Sequence, residues 1–354
     1  APLHPSSLSE GAASLLPDGD RPAILWTIDL DGAGEVVDRR VERATVRSSA
    51  QLGYEDAQAL CDAGGHPALG ELRTVGERRQ AVQAARGGIS LHLPNQEVVE
   101  EDGGYGVTFE APRPIEQWNE QISLLTGMVA ADLMLDAGAG LLRTLPPPPD
   151  FVVRQLGRAA RGLGVDWPKG AEGYASILAG LDPAVPAEAA LITQSARLFR
   201  GAGYLAFSDG APAHPEQAAI GAPYAHVTAP LRRLGDRFAI ELALAAHEGR
   251  TPGPWAVDAL ATLPDVLQEG SRRQAALDRA CVDFTEAMVL RGRVGERFRV
   301  LVTEVDHDDA RVQFRDPAVL ARADGHGLEA GAEAEVELVA VDPDQGRIEL
   351  RVVR

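Results

Sequence analysis

The strongest constraint on this fold is a change of hydrophobic period near residue 291. From residue 114 onward apolar residues recur three and four apart, as in "PIEQWNEQISLLTGMVAADLML". That is the spacing of a helix with one buried face. After 291 apolar and polar residues alternate in "RFRVLVTEVD", "ARVQFRD", "AEAEVELVAVD" and "GRIELRVV", with Asp/Gly turns between them. A period of two places alternate side chains on opposite faces of a strand and has no use on a helix.

Five short strands in about 64 residues predict a small barrel of the OB type. Ahead of it the chain reads as mixed. "PAILWTIDLD" and "EVVDRRVERATVRSS" flank the turn "DGAGE", a predicted hairpin. Residues 54–64 and 66–88 read as helices ending at glycine. "ISLHLP" and "QEVVEEDGGYGVTFEAP" read as strands around an Asp-Gly-Gly turn. Helices are expected near 150–163, 171–181, 187–200, 229–248, 254–268 and 271–290. "TLPPPPDF" reads as a stiff connector inside one domain rather than a domain linker, because helical pattern resumes at once. The expected class is α+β, a sheet packed with many helices followed by a five-stranded barrel, with no internal repeat.

The 354 residues, 45% apolar, suffice for a sizeable core, and no apolar run reaches the length of a membrane span. The first residues, "APLHPSSLSEGAAS", carry no basic or apolar stretch of a secretory signal. Cys61 and Cys281 are the only cysteines, and the eight histidines show no metal-ligand spacing. The first fact fits a reducing, cytoplasmic setting and the second offers no zinc site. A monomer without membrane attachment is expected. A net charge of −18 excludes a general polyanion binder, so any nucleic-acid contact must be concentrated in one place. Lys169 is the only lysine; the arginine excess suits bidentate phosphate contacts, and a GC-rich genome gives the same bias.

One segment concentrates charge in a telling position. "YAHVTAPLRRLGDRFAIELAL" sets Arg232 and Arg233 at the start of a helix, where the dipole is already positive. An anion belonging at that spot makes the placement reasonable. The segment resembles the ribonuclease II family motif Tyr-x-His/Trp-x-Thr-Ser-Pro-Ile-Arg-Arg/Lys-Tyr-x-Asp. Ala229, Leu231 and Leu234 depart from it, while Pro230, Arg232, Arg233 and Asp236 keep its frame. "LSEGAASLLPDGDRPAILWTIDLDGAGEV", "AQLGYEDAQ", "IEQWNEQISLLTGMVAADL" and "RRQAALDRACVDF" are similar to further family segments in the same order.

The resemblance implies an RNB-type catalytic domain over 1–290 and an OB-fold RNA-binding domain over 291–354. It implies a 3′-5′ exoribonuclease that threads single-stranded RNA and releases nucleoside 5′-monophosphates with Mg²⁺. Arg232 is then the catalytic arginine on the scissile phosphate; the bland alternative is an ion pair with Asp236 one turn on. Arg233 contacts either Asp236 or another phosphate. Tyr54, Glu120, Tyr224 and Thr228 fall at the pocket for the terminal nucleotide. Tyr54 packing a helix start and Glu120 lying on a solvated helix face are the alternatives. The family's asparagine on the Glu120 helix is Gly127 here. Asp278, also implied to contact the terminal nucleotide, stands where the family has the glutamate of its Ala-Glu-Arg helix; it is one methylene shorter, which leaves its effect on product release open. Phe298 and Phe314 either stack bases or fill the barrel. Ten arginines against fourteen acidic residues after 290 make the barrel a modest RNA clamp. "DHDD" (306–309) reads as a solvated turn and "EVVEEDGG" as a charged hairpin, neither as a metal site.

The family's Mg²⁺-binding aspartate cluster, Asp-x-x-x-x-x-Asp-x-Asp-Asp, precedes its Leu-Ser segment, and no such cluster occurs in these residues. The expectation is that the metal ligands lie upstream of residue 1. The alternative is a non-catalytic RNA-binding relative that keeps the channel without a metal centre.

Overall fold

The computed structural model describes residues 3–89, 95–101, 104–110, 112–167, 173–182 and 185–353. The first strands, β1 (Asp20–Leu30) and β2 (Val36–Arg47), pair antiparallel as the expected hairpin. Helices α1 (Tyr54–Asp62) and α2 (Pro67–Ala85) follow, then the hairpin β3 (Asn95–Glu101) and β4 (Gly104–Glu110). The "ISLHLP" strand, apart from Ile89, and the Asp-Gly-Gly turn at Asp102 and Gly103 lie outside the described residues. Next come α3 (Pro114–Ala137), β5 (Gly140–Thr144), α4 (Asp150–Gly162), α5 (Tyr174–Ala179) and α6 (Pro186–Ser195), the last continued by a 3₁₀ turn, Ala196–Phe199. Then β6 (Gly203–Phe207), β7 (Glu216–Gln217) and β8 (Ala222–Pro223) lead into α7 (Leu234–Glu248), α8 (Pro254–Ala259) and α9 (Leu263–Leu290). The barrel strands are β9 (Arg297–Asp306), β10 (Asp309–Phe314), β11 (Leu320–Asp324), β12 (Glu333–Asp342) and β13 (Arg347–Val352).

Several boundaries differ from the periodicity reading, each for a local reason. A helix expected from 229 starts at 234, because Ala229–Arg232 closes a tight turn and Arg233 is extended at φ −121°. A break expected near 270 falls instead at 260–262. Pro264 is tolerated only in a first helical turn, so the helix restarts there, whereas Gly270 weakens a helix without ending it. The strands β5 to β8 have no counterpart in the periodicity reading.

The chain forms two compact units interleaved in sequence: Ala1–Gly88, Arg113–Pro147 and Gly201–Glu269 in the first; Ile89–Pro112, Pro148–Arg200 and Gly270–Arg354 in the second. The proline run therefore joins two units, dividing between Pro147 and Pro148, in place of the within-domain connector expected of it.

In the first unit α3 is the central element. Pro114 at its first position and the Arg113–Glu116 capping box start it, and Gly138, at φ 72°, ends it in the left-handed conformation that costs glycine little. Its Ala130, Ala131 and Met134 are completely buried. They join Leu141 and Leu142 of β5 and Leu242, Ala243 and Leu244 of α7 in one core, with Trp26, Ile28 and Val41 of the β1–β2 hairpin against it. The buried Arg79 of α2 donates to the Gly34 carbonyl at 2.6 Å, holding the hairpin turn to the helix.

In the second unit β11–β10–β9–β12–β13 form an antiparallel sheet that curls until β11 packs on β13, the expected OB barrel. Alternation decides its interior: Phe298, Val300 and Val302 of β9 point inward with Val312, Phe314, Val336 and Leu338. Phe298 is 6% and Phe314 1% exposed, with ring centroids 5.1 Å apart. Buried rings offer no face to a base, so in place of stacking on RNA both are core residues. Among the described residues no helix is long and apolar enough to cross a membrane.

One buried carboxylate in the second unit makes its stability pH-dependent. Glu286 of α9 accepts from the Leu320 N–H at 2.7 Å and from the Gln96 side chain, tying β11 and the β3–β4 hairpin to the helix. Burial pushes its pKa up, offset in part by those two donors. A carboxyl whose pKa rises on folding contributes stability below its unfolded value and loses it as pH climbs through the folded one. Glu286→Gln keeps an acceptor oxygen without the charge. It is expected to raise the unfolding temperature at pH 7 by about 2–4 °C, the scale of roughly 1 kcal/mol in a large domain. Calorimetry should show that gain vanishing as pH falls toward the ordinary carboxylate range, and a gain equal at all pH values would refute the account.

Candidate RNA-end site

The segment between β8 and α7 is fixed in the first unit from both sides. Ala225 donates its N–H to the Gly127 carbonyl of α3 at 3.0 Å, and the Tyr224 carbonyl accepts the Arg143 N–H of β5 at 2.8 Å. Gly127 is required for this approach. A Cβ there would stand 2.5 Å from the Ala225 oxygen and 2.1 Å from Cε2 of the Tyr224 ring.

Further along, the Ala229 carbonyl accepts the N–H groups of Arg232 and Arg233, closing a turn. Asp236, in the first turn of α7, is fully buried and anchors that turn by accepting the Ala229 N–H at 2.7 Å. Its two oxygens also take Arg233, with Nε at 2.9 Å from Oδ1 and Nη2 at 2.9 Å from Oδ2. The same Nη2 donates to Thr228 Oγ1 at 3.2 Å. Of the two contacts open to Arg233, the structure contains the one with Asp236, and Thr228 is engaged beside it. Arg232 does not pair with Asp236. It is exposed and makes no side-chain hydrogen bond or ion pair among the described residues.

Around these arginines lies an aromatic cluster. The His226 ring packs edge-on to Tyr224 at 5.4 Å and to Tyr204 at 5.9 Å, and its Nδ1 is 3.0 Å from the Tyr204 hydroxyl. Arg143 lies over the Tyr204 ring, its guanidinium carbon 4.8 Å from the centroid. Burial first, then the charges of Arg233, Arg143 and Arg232, lower the His226 pKa from 6.5 to about 3. The imidazole is therefore neutral across physiological pH and adds no charge of its own. Burial raises both tyrosine phenols, with Arg233 opposing and Asp236 and Glu120 reinforcing the rise at Tyr224.

Glu120, on the exposed face of α3, is thereby within electrostatic reach of Tyr224. Tyr54, the first residue of α1, is 47% exposed, and its hydroxyl accepts from Asn119, the residue beside Glu120. The first unit thus gathers Glu120, Tyr224, Thr228, Arg232 and Arg233 around one cluster, with Tyr54 linked through Asn119. Asp278 is exposed on α9 in the second unit. Sequence reasoning missed Arg143, Tyr204 and His226. His226 stood inside the quoted motif, whereas Arg143 and Tyr204 lie on strands whose pairing joins residues sixty apart. Among the described residues no group of three or more His, Cys, Asp or Glu is arranged to hold a metal ion.

Comparison with known proteins places this geometry. The RNB domain family matches residues 1–245, and the RNase II-type exonuclease C-terminal S1 domain matches 296–353. The chain is 24% identical to ribonuclease R of Aquifex aeolicus over 99% of its own length and 55% of that relative. It is 31% identical to the inactive exonuclease DIS3L2 of Arabidopsis thaliana, over 41% of the chain and 16% of the relative. The solved ribonuclease R of Mycoplasma genitalium, in complex with ribose-methylated single-stranded RNA, superposes with a TM-score of 0.87 at 18% identity. That match covers 99% of this chain and 61% of the other, and it establishes the shared fold. The chain spans about half or less of the curated relatives it matches here. It belongs to the RNB family, whose ribonucleases are hydrolytic exoribonucleases, and carries the RNase II-type S1 barrel behind its RNB domain.

Proposed function

We propose that this chain grips the 3′ end of single-stranded RNA for 3′-5′ exonucleolytic hydrolysis to nucleoside 5′-monophosphates. Residues 1–290 form the nuclease domain in this reading and 291–354 the RNA-binding barrel. The observation that carries it is Arg232, an exposed guanidinium without an ion-pair partner among the described residues, on a turn braced by the buried Arg233–Asp236 pair. A guanidinium held that way stabilises charge developing on a phosphate without reorganising. Tyr54 and Glu120 receive the terminal ribose, where a carboxylate can accept the 2′-OH that separates RNA from DNA. Tyr224 and Thr228 shape the pocket wall.

RNB ribonucleases are generally metal-dependent, and Mg²⁺ is the proposed ion. The described residues do not fit it, since they offer no ligand cluster. What this chain's described residues do on this reading is bind and orient RNA. A second reading is an RNA-holding relative that does not cleave. The chain is equally similar, at 31% identity, to a relative named an exonuclease and to one named inactive, so both readings are carried to the test.

The test uses 5′-labelled oligo(A) with the full-length protein, following Mg²⁺-dependent release of AMP and, in EDTA, binding by fluorescence anisotropy. Arg232→Ala is expected to slow release by about 10²–10³-fold and to weaken binding far less. Equal loss of both would make Arg232 a binding residue only, and binding without AMP release would establish the non-cleaving reading. Stability separates the neighbours: Asp236→Ala is expected to cost about 3 kcal/mol by stranding a half-buried arginine. Arg232→Ala should stay within about 0.5 kcal/mol, both read by thermal unfolding.

A further inference from the structure

Arg143 has no role in the reading above, yet it shares the distinguishing property of Arg232. It is half-buried on β5 and makes no ion pair among the described residues. What holds it is the face of Tyr204, 4.8 Å from its guanidinium carbon. Cation–π contact fixes the plane of an arginine while leaving its N–H fork free for a ligand. Tyr204 is in turn held through its hydroxyl, 3.0 Å from His226 Nδ1, and through the edge-on packing of the two rings.

The groups facing His226 come from several elements. β5 contributes Arg143; the turn before α7, Arg232 and Arg233; β6, Tyr204; and the loop after β8, Tyr224. Asp236 of α7 and Glu120 of α3 act on the flanking tyrosines. Asp236 is already engaged by Arg233. Two guanidinium charges are left beside a neutral ring in a protein of net charge −18. Cations so placed call for an anion to arrive.

We propose that Arg143 is a second phosphate-binding residue of this site, holding an RNA phosphodiester together with Arg232, and that Tyr204 and His226 position it. The inference rests on the RNA-end reading and extends it to a residue outside the recognised motifs. Because His226 is neutral, the cradle gains and loses no charge between pH 5 and 9. Binding through it is set by arginine alone.

The experiment measures binding of 5′-fluorescein oligo(A) to the 354-residue chain in EDTA across a salt series, for the parent, Arg143→Gln, Arg143→Lys and Arg232→Gln. Arg143→Gln is expected to weaken binding about tenfold, the scale of one charge-assisted hydrogen bond. It should also flatten the slope of log affinity against log salt by about 0.7, one single-strand phosphate contact. Arg143→Lys keeps the slope and loses the fork, so it weakens binding at unchanged slope. It also serves as the readout should the glutamine variant fail to fold. Tyr204→Phe keeps the ring and drops the His226 bond, weakening binding without changing the slope. In ring NMR titrations the His226 pKa should climb from about 3 in Arg143→Gln, where one of three opposing charges is gone. A folded Arg143→Gln with parental affinity and slope, alongside a weakened Arg232→Gln, would overturn this inference and leave the functional reading standing. A parent chain that binds no oligonucleotide would overturn both.

Discussion

A single buried carboxylate organises the site. Asp236 has no exposure to water, and a bare carboxylate there would be prohibitively costly. Its position in the first turn of α7 supplies the favourable helix dipole, and the Ala229 N–H and the Arg233 fork saturate its oxygens. Those bonds have a geometric consequence. They fold residues 229–232 into a turn and engage Arg233 internally, so that of two adjacent arginines only one faces outward. Two charges side by side in sequence thus end in opposite roles, and the carboxylate three residues on decides which is which.

The second constraint is steric and comes from α3. The loop bearing Tyr224 and His226 reaches its place only because residue 127 lacks a side chain, and from there β5 catches it through the Arg143 N–H. The backbone bond of Arg143 and the ring contact of its guanidinium therefore act on the same cluster from one residue. Burying His226 among three arginines keeps it uncharged, which avoids a further repulsive charge where the proposed ligand is anionic. In a chain of net charge −18, three arginines gathered around one neutral ring are a local departure from the overall charge.

Much of this was legible in the sequence. Period alone located α2, α3 and the barrel strands, because a long helix and an alternating strand each repeat one rule many times. The hairpin turn "DGAGE" was equally plain. What escaped depends on partners remote in sequence. β5 and β6 are five residues each, pair across some sixty residues, and carry no alternation because β5 begins with three buried positions running. Arg143 and Tyr204 could not be found without that pairing. The interleaving of the two units escaped for the same reason. Phe298 and Phe314 show the converse: a strand position with an aromatic reads alike whether it faces RNA or core, and only the inward phase of β9 and β10 decides.

The barrel's surface charge bears on how the chain holds RNA. Several of its arginines are matched by nearby acids: Arg351 with Glu337, Arg347 with Glu349 and Arg322 with Asp309 on the same or the adjoining strand, and Arg315, just past β10, with Glu333 of β12. Each such exposed pair contributes at most about 1 kcal/mol, so the pairs do little for stability. They matter for ligands instead, because a phosphate arriving there must displace a carboxylate that also repels it. With ten arginines against fourteen acids, the field over residues 291–354 stays negative even if every pair opens. Arg232 and Arg143 in the RNB unit make no ion pair among the described residues, and neither do Arg297 and Arg299 of the barrel, but the latter two stand in a net negative field. On the proposed reading, the net negative barrel adds little electrostatic attraction for an RNA backbone, and that attraction rests mainly on Arg232 and Arg143.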